Sequence, residues 1–293
     1  SSSLATHLTY STKNWANVRS EGQFYTTKGF NVVVLFQYLN APDYFYGIGN
    51  DTINKNPSKF QNRYMKFCLE FSKCKNKVHF WGFKTDVQLQ YIDDIQLNVL
   101  NPQISGYDGG TFLGIGPLYK YDSRNDVNFP SRGYLIQTSI TQTVEVQDLR
   151  HTFSSYSIDI RKYILFLKTF ILATQANISH TSGDVPFFKL STIGGKYNLR
   201  GISNKNKYID KDAWYTQAEI RKMILPRIGF VTFAGVGNVF DYRNNDEFTK
   251  VKTIFGLGGR FQLMSGDKIN LRFDYAFGPN GDSGFYATIR EAF

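Results

Sequence analysis

The stretch INLRFDYAF, residues 269–277, decides the fold because apolar and polar side chains alternate along most of it. Successive side chains of an extended strand point to opposite faces. One face would carry Ile269, Leu271, Phe273, Tyr275 and Phe277, and the other Asn270, Arg272 and Asp274. Residues 214–221 and 156–161 alternate in the same way. The pattern predicts strands that are apolar on one face and ionic on the other.

Outward from this stretch, alternation bounded by turn residues recurs along the whole chain. The segments that carry it are 3–12, 17–27, 30–40, 60–73, 77–92, 110–122, 132–146, 152–162, 166–179, 212–223, 228–240, 251–264, 268–277 and 284–293. Strand lengths in globular proteins cluster at about five or six residues, whereas tilted membrane strands need about nine to eleven. Most of these segments are long enough for membrane strands. We therefore predict an all-β chain, a transmembrane antiparallel β-barrel with about 14 visible strands, forming one domain over residues 1–293.

Composition excludes several other classes of protein. The chain has 34 Lys and Arg against 24 Asp and Glu, but these basic residues are dispersed, which argues against a nucleic-acid partner. The most apolar stretch, 163–173, contains Lys168 and is too short for a membrane-spanning helix. Cys68 and Cys74 have neither zinc-site nor redox-motif spacing.

Catalytic motifs are absent from the sequence. His7, His79, His151 and His180 are far apart and match no metal-ligand spacing. The 25 glycines form no nucleotide-binding pattern. We expect no enzyme activity, no metal and no cofactor, although a barrel could still bring a serine and a histidine together on adjacent strands.

Four motifs resemble those of the bacterial surface antigen superfamily, the outer-membrane barrels that include BamA and TamA. The most specific is GGKYNLRGI at 194–202, which is similar to the signature of the long loop that folds back into the barrel lumen. YDSRND at 121–126 with FPSRG at 129–133, YFYGIGN at 44–50, and the C-terminal 284–293 also resemble family segments. The resemblance implies a lumen-directed loop at about 180–211. It also implies 16 strands, so a hairpin is expected upstream of Ser1, and no periplasmic POTRA domain is visible in this sequence.

The resemblance also implies the residues of a site. The loop signature would be formed by Gly194, Gly195, Leu199, Arg200 and Gly201. Arg200 would dock against Glu219, which lies on the next strand with its side chain toward the lumen, and against the small residues Gly235 and Gly237. Gly235 stands where the family's docking strand carries aspartate. The alternative is that Arg200 is a solvated loop arginine.

The chain's end resembles the C-terminal β-signal of outer-membrane proteins. Phe285, Ala287, Ile289 and Phe293 would form its aromatic and apolar face, on which Glu291 is an unusual residue. The expected location is therefore the outer membrane, as an integral barrel in contact with its lipid.

What the resemblance implies is a barrel that assists insertion, assembly or translocation of outer-membrane proteins through its strand seam. Its partners would be unfolded outer-membrane proteins and other envelope or periplasmic proteins. The alternatives are a gated or passive pore lined by charges such as Arg161 and Arg221, and a structural docking barrel in an envelope complex.

Overall fold

The computed structural model describes residues 2–10, 15–52, 56–96, 98–244, 250–264, 266 and 268–293. Fourteen strands form one antiparallel sheet whose order follows the sequence. They are β1 (Ser3–Tyr10), β2 (Ala16–Tyr25), β3 (Phe30–Phe45), β4 (Ser58–Lys75), β5 (His79–Asp93), β6 (Gly110–Asp122), β7 (Gly133–Glu145), β8 (Thr152–Phe166), β9 (Phe170–Gly183), β12 (Asp212–Met223), β13 (Ile228–Phe240), β14 (Lys252–Met264), β15 (Ile269–Phe277) and β16 (Ser283–Ile289), with the short strands β10 (Ser191–Thr192) and β11 (Ile209–Asp210) paired separately between β9 and β12. The predicted all-β chain with about 14 strands is confirmed.

Helical structure is minimal in the described part of the chain. It consists of three-residue 3-10 turns at Phe187–Lys189, Lys205–Lys207, Tyr242–Asn244 and Pro279–Gly281. No helix among the described residues is long and apolar enough to cross a membrane.

The burial along β15 is the inverse of that in a water-soluble sheet. Arg272 and Asp274 are fully buried, whereas Phe273 between them is 40% exposed. On β14, Phe255 and Leu257 are 60% and 65% exposed. Aromatic and aliphatic side chains thus cover the outward face and charged groups are collected on the buried face, as expected for strands that contact lipid.

The chain divides into two compact units. The first contains Ser1–Lys120, Gln137–Ser157 and His180–Leu190, and the second contains Tyr121–Ile136, Ile158–Ser179 and Ser191–Phe293. A single domain over residues 1–293 stays a prediction.

The core of the second unit forms around the segment that connects β10 to β11. Ile193, Leu199 and Ile202 of this segment are completely buried. They pack in one cluster with Tyr208, Ala213, Tyr215, Val231, Phe233, Val239, Ile254 and Ala276. The connector is therefore an integral part of the second unit's core.

Several predicted boundaries were wrong. The turn after β8 was expected near 163–165, but β8 continues to Phe166 and the chain reverses at Leu167 and Lys168, both with positive φ. Neither is a usual turn residue, so local composition gave no signal. β3 extends five residues past its predicted end at 40, and residues 11 and 12 of the first predicted strand lie outside the described residues.

Candidate functional site

The GGKYNLRGI motif forms a compact turn between β10 and β11. The amide of Gly195 donates to the carbonyl of Ile202 at 3.0 Å, and the amide of Ile202 donates to the carbonyl of Leu199 at 3.2 Å. Gly201 has a φ of +114°, and a Cβ there would lie 2.6 Å from the carbonyl oxygen of Phe277. Only glycine combines this backbone conformation with so close an approach to β15.

Arg200, presented by this turn, is completely buried and binds two carboxylates. Its Nη2 donates to Oε1 of Glu219 on β12, and its Nη1 donates to Oδ2 of Asp274 on β15 at 2.5 Å. The guanidinium also lies over the ring of Phe233, 3.6 Å from the ring centroid. A planar, multiply donating cation suits such a site because it can bridge two acids while stacking on an aromatic face. Arg200 is therefore not a solvated loop residue.

Three further arginines surround the same carboxylates on the strands. Nε of Arg221 donates to Oε2 of Glu219 at 2.7 Å, and Nη1 of Arg260 donates to Oδ1 of Asp274 at 2.6 Å. Nε of Arg272 lies 3.4 Å from Oδ2 of Asp274. All of these side chains are at least 97% buried. We call the set of Arg200, Arg221, Arg260, Arg272, Glu219, Asp274 and Glu291 the buried ion network.

The buried ion network holds four arginines and three acidic residues. Buried charges are tolerated only when they are paired and hydrogen bonded, and removing one partner of a buried pair typically costs about 3–5 kcal/mol. Its carboxylates therefore hold the Arg200 turn on β12 and β15 strongly, while the excess of positive charge makes every acidic member important.

The side chain of Leu199 packs against two glycines of β13. A Cβ added at Gly235 or at Gly237 would lie 2.7 Å from a methyl carbon of Leu199. The small residues of β13 therefore accommodate a leucine side chain, while Arg200 finds its second carboxylate on β15. The sequence placed Arg221, Arg272 and Asp274 on the lumen-facing side, but did not identify Asp274 as a partner of Arg200.

The C-terminal residues depart from the predicted β-signal strand. Phe285, Ala287 and Ile289 share the exposed face of β16, as expected, and Phe285 is 66% exposed. Phe293 is 4% exposed and belongs to the opposite, buried side. The strand ends at Ile289, and Arg290 has a φ of +72°, so the alternation of faces stops there. The prediction of a continuous strand over 284–293 was therefore wrong.

A serine, a histidine and an aspartate do meet in the first unit. Oγ of Ser105 donates to Oδ1 of Asp184 at 2.8 Å, and Nδ1 of His151 lies 3.3 Å from Ser105 Oγ and 3.1 Å from Asp184 Oδ2. A hydrolytic triad places its nucleophile and its acid on different ring nitrogens. Here both groups face one nitrogen, so the cluster lacks a nucleophile–base arrangement.

Lys189 is a second cation outside the strands, and its side chain is 13% exposed. Its Nζ donates to Oε1 of Gln88 at 2.8 Å and lies 3.8 Å from Oδ2 of Asp86, both on β5. Burial lowers the pKa of Lys189 to about 7, with a further decrease from Lys66.

Among the described residues no group of three or more His, Cys, Asp or Glu could hold a metal ion.

Comparison with known proteins identifies the fold and the family. The structure is similar to that of BamA from Haemophilus ducreyi lacking POTRA domains 1-3, with a TM-score of 0.65 and 14% identity over 98% of this chain and 63% of that one. It is also similar to CdiB from Acinetobacter baumannii, with a TM-score of 0.60 and 15% identity over 98% and 53% of the two chains. The structure is likewise similar to that of CdiB from Escherichia coli, with a TM-score of 0.57 and 12% identity over 96% of this chain and 53% of that one.

The chain thus spans less than two thirds of the length of these solved structures. A comparison with curated proteins finds no match. The family model of the Omp85 superfamily domain matches residues 2–293. This match and the structural neighbours confirm the predicted transmembrane β-barrel and the resemblance stated for the sequence motifs. The chain therefore belongs to the Omp85 superfamily.

Proposed function

We propose that this chain is the barrel part of an integral outer-membrane protein that assists insertion, assembly or translocation of other outer-membrane proteins. Its proposed partners are outer-membrane lipid, unfolded outer-membrane proteins and other envelope or periplasmic proteins. Membership of the Omp85 superfamily supports this proposal at the level of the family. The mechanism involves strand pairing and no covalent step, so it uses neither a cofactor nor a metal.

The observation that carries the proposal is the docking of Arg200. A connector contributes Ile193, Leu199 and Ile202 to a core and fixes Arg200 to β12 and β15, an arrangement that a simple pore does not require. A glycine-rich turn presents Arg200, and two buried carboxylates bind it. Such a connector favours a role in supporting the last strands of the sheet over a role in conducting solutes.

The proposed acting element is the seam of the sheet. β1 and β16 stand at the two ends of the strand order. An unpaired strand edge in lipid leaves backbone amides and carbonyls without partners, and each costs several kcal/mol there. An incoming strand that adds to such an edge satisfies these groups, which makes strand addition strongly favourable.

The test is the folding of an added outer-membrane protein in liposomes that contain this protein. We expect faster folding than in empty liposomes and loss of the acceleration in Arg200→Ala. Arg161→Ala is the matched control, because Arg161 pairs with Asp159 on β8, and neither residue belongs to the buried ion network. Acceleration by the Arg161 variant but not by the Arg200 variant supports the proposal.

Failure of the parent protein to accelerate folding overturns the proposal. Planar-bilayer recording of the same preparation then identifies the alternative. Stable current steps with an ion preference indicate a pore. No conductance together with stable co-purifying envelope proteins indicates a docking barrel.

A further inference from the structure

The last residues of the chain, 290–293, leave the sheet and turn to its buried side. We call them the C-terminal segment. The amide of Arg290 donates to the carbonyl of Asn270 at 2.9 Å, and its positive φ changes the direction of the chain. Glu291, Ala292 and Phe293 are then all buried. The carboxylate of Glu291 is thereby placed on the buried side, whereas a continued strand would have placed it on the outward face.

Both oxygens of Glu291 are bound. Oε2 accepts from Nε of Arg260 at 2.8 Å, and Oε1 accepts from Nδ2 of Asn270 at 2.9 Å. Nε of Arg221 lies 4.0 Å from Oε2. A buried carboxylate held by a charged and a neutral donor is a strong local restraint.

Phe293 completes the anchoring of the C-terminal segment. Its ring packs in a buried cluster with Ala292 and with Tyr163 and Ala173. Nη2 of Arg221 donates to the main-chain oxygen of Phe293 at 2.9 Å, and its guanidinium lies 5.4 Å from the ring centroid. The segment is therefore held by an ion pair at one residue and by an apolar contact two residues later.

Arg260 connects this anchor to the Arg200 turn. It donates to Glu291 through Nε and to Asp274 through Nη1, while Asp274 uses its other oxygen for Arg200. Glu291, Arg260, Asp274 and Arg200 thus form an unbroken series of ion pairs. Losing the charge of Glu291 therefore removes one of the two ion pairs that Arg260 makes and leaves its pair with Asp274.

We propose that Glu291 is a latch, a positioning residue that keeps the C-terminal segment on the buried side and couples its release to the Arg200 turn. Release of the segment frees the end of β16 beside the proposed seam, and in this respect the inference rests on the proposed function. The latch itself is a structural property that can be measured without any client protein.

The experiment measures thiol labelling in lipid nanodiscs, which leave both membrane faces open to the reagent. In a Cys74→Ser background, Ala292→Cys reports on the C-terminal segment and, in a separate protein, Ile202→Cys reports on the turn. The native Cys68 is buried and serves as the internal reporter of folding. A charged maleimide and peptide mass spectrometry give the labelling rate of each cysteine.

We expect Glu291→Gln to raise labelling at position 292 by about tenfold or more and to raise labelling at position 202 as well, with Cys68 still protected. Glu145→Gln, which alters a buried glutamate of β7, is the matched control and leaves both rates unchanged. Asn270→Ala removes only the neutral partner of Glu291, and we expect an increase of about threefold at position 292. This milder variant decides the question if Glu291→Gln exposes Cys68.

Equal labelling of position 292 in the parent and in folded Glu291→Gln overturns the latch, and so does rapid labelling in the parent. A response at position 292 without one at position 202 overturns the coupling. These results do not depend on client folding, so a parent that fails to accelerate folding refutes the proposed function and leaves the latch intact.

Discussion

Glu219 and Arg200 form a completely buried ion pair, Oε1 of the glutamate accepting from Nη2 of the arginine. They lie 19 positions apart in the sequence, and the pair fixes the glycine-rich turn to β12. The other oxygen of Glu219 binds Arg221 at 2.7 Å. One carboxylate therefore compensates two buried cations.

Glu219→Ala should destabilise the protein by about 3–5 kcal/mol, because it leaves two buried guanidinium groups with one acid fewer. The measurement is the free energy of unfolding in urea, in detergent micelles. Glu21→Ala is the control, since Glu21 forms a partly exposed pair with Arg19 and should change stability by less than about 1 kcal/mol. Similar losses in the two variants would contradict a special role for Glu219.

Gly235→Ala should destabilise by about 1–3 kcal/mol, because the new methyl group would overlap Leu199, as well as Gln217 beside it. Gly259→Ala on β14 is the matched control, since a Cβ there meets nothing within 4 Å. The same urea measurement should show a change of no more than about 0.5 kcal/mol for this control.

Combining Gly235→Ala with Leu199→Ala separates a local overlap from a general effect on the strand. The overlap disappears with the leucine side chain, so the double variant should lose less stability than the sum of the two single losses. Strict additivity would show that Gly235 is required for some reason other than the accommodation of Leu199.

Lys189 should make stability depend on pH. Burial lowers its pKa from 10.5 to about 7, with Lys66 and Lys84 acting in the same direction and Asp86 opposing them. Between these two values the unfolded chain binds the additional proton. Stability should therefore rise with pH from about 7 toward 10.5 with a slope approaching 1.4 kcal/mol per pH unit, and this contribution should be constant below about 7.

Lys189→Met removes the titrating group and should flatten that part of the profile. Urea unfolding at a series of pH values in the parent and the variant provides the measurement. Lys28→Met, at an exposed lysine of the turn between β2 and β3, controls for the loss of one positive charge. An unchanged slope in the Lys189 variant would assign the pH dependence to other groups.

The strands could be predicted from the sequence because alternation over ten or so residues is a local property. For the same reason, the face of Glu219 followed from its position on the strand after the loop. The pairing of Arg200 with Asp274 could not be predicted in this way. Asp274 lies 74 positions after Arg200, and their contact depends on the register of the strands between them. Alternation gives the face of a side chain but not its position along the strand relative to neighbouring strands.

Glu291 shows a different limit. Counting by twos from Ile289 assigns Glu291 to the outward apolar face, and the residue then looks out of place. The left-handed backbone of Arg290 breaks the count and directs the carboxylate to Arg260. A non-glycine residue with positive φ is uncommon, so nothing in the local sequence indicates it. A single residue's conformation thus changed the interpretation of the whole C-terminal segment.

Arg200→Lys tests whether charge alone is sufficient at the centre of the network. Lysine keeps the positive charge but offers one compact ammonium group, which cannot bridge Glu219 and Asp274 and stack on Phe233 as the guanidinium does. We expect a loss of about 2 kcal/mol or more in urea unfolding, together with faster proteolysis within residues 194–202. The conservative Arg63→Lys, at an exposed pair with Asp93, should leave the free energy of unfolding nearly unchanged. If both lysine variants behave like the parent, the network requires only a cation at position 200, and the fork geometry of Arg200 has no role in holding the turn.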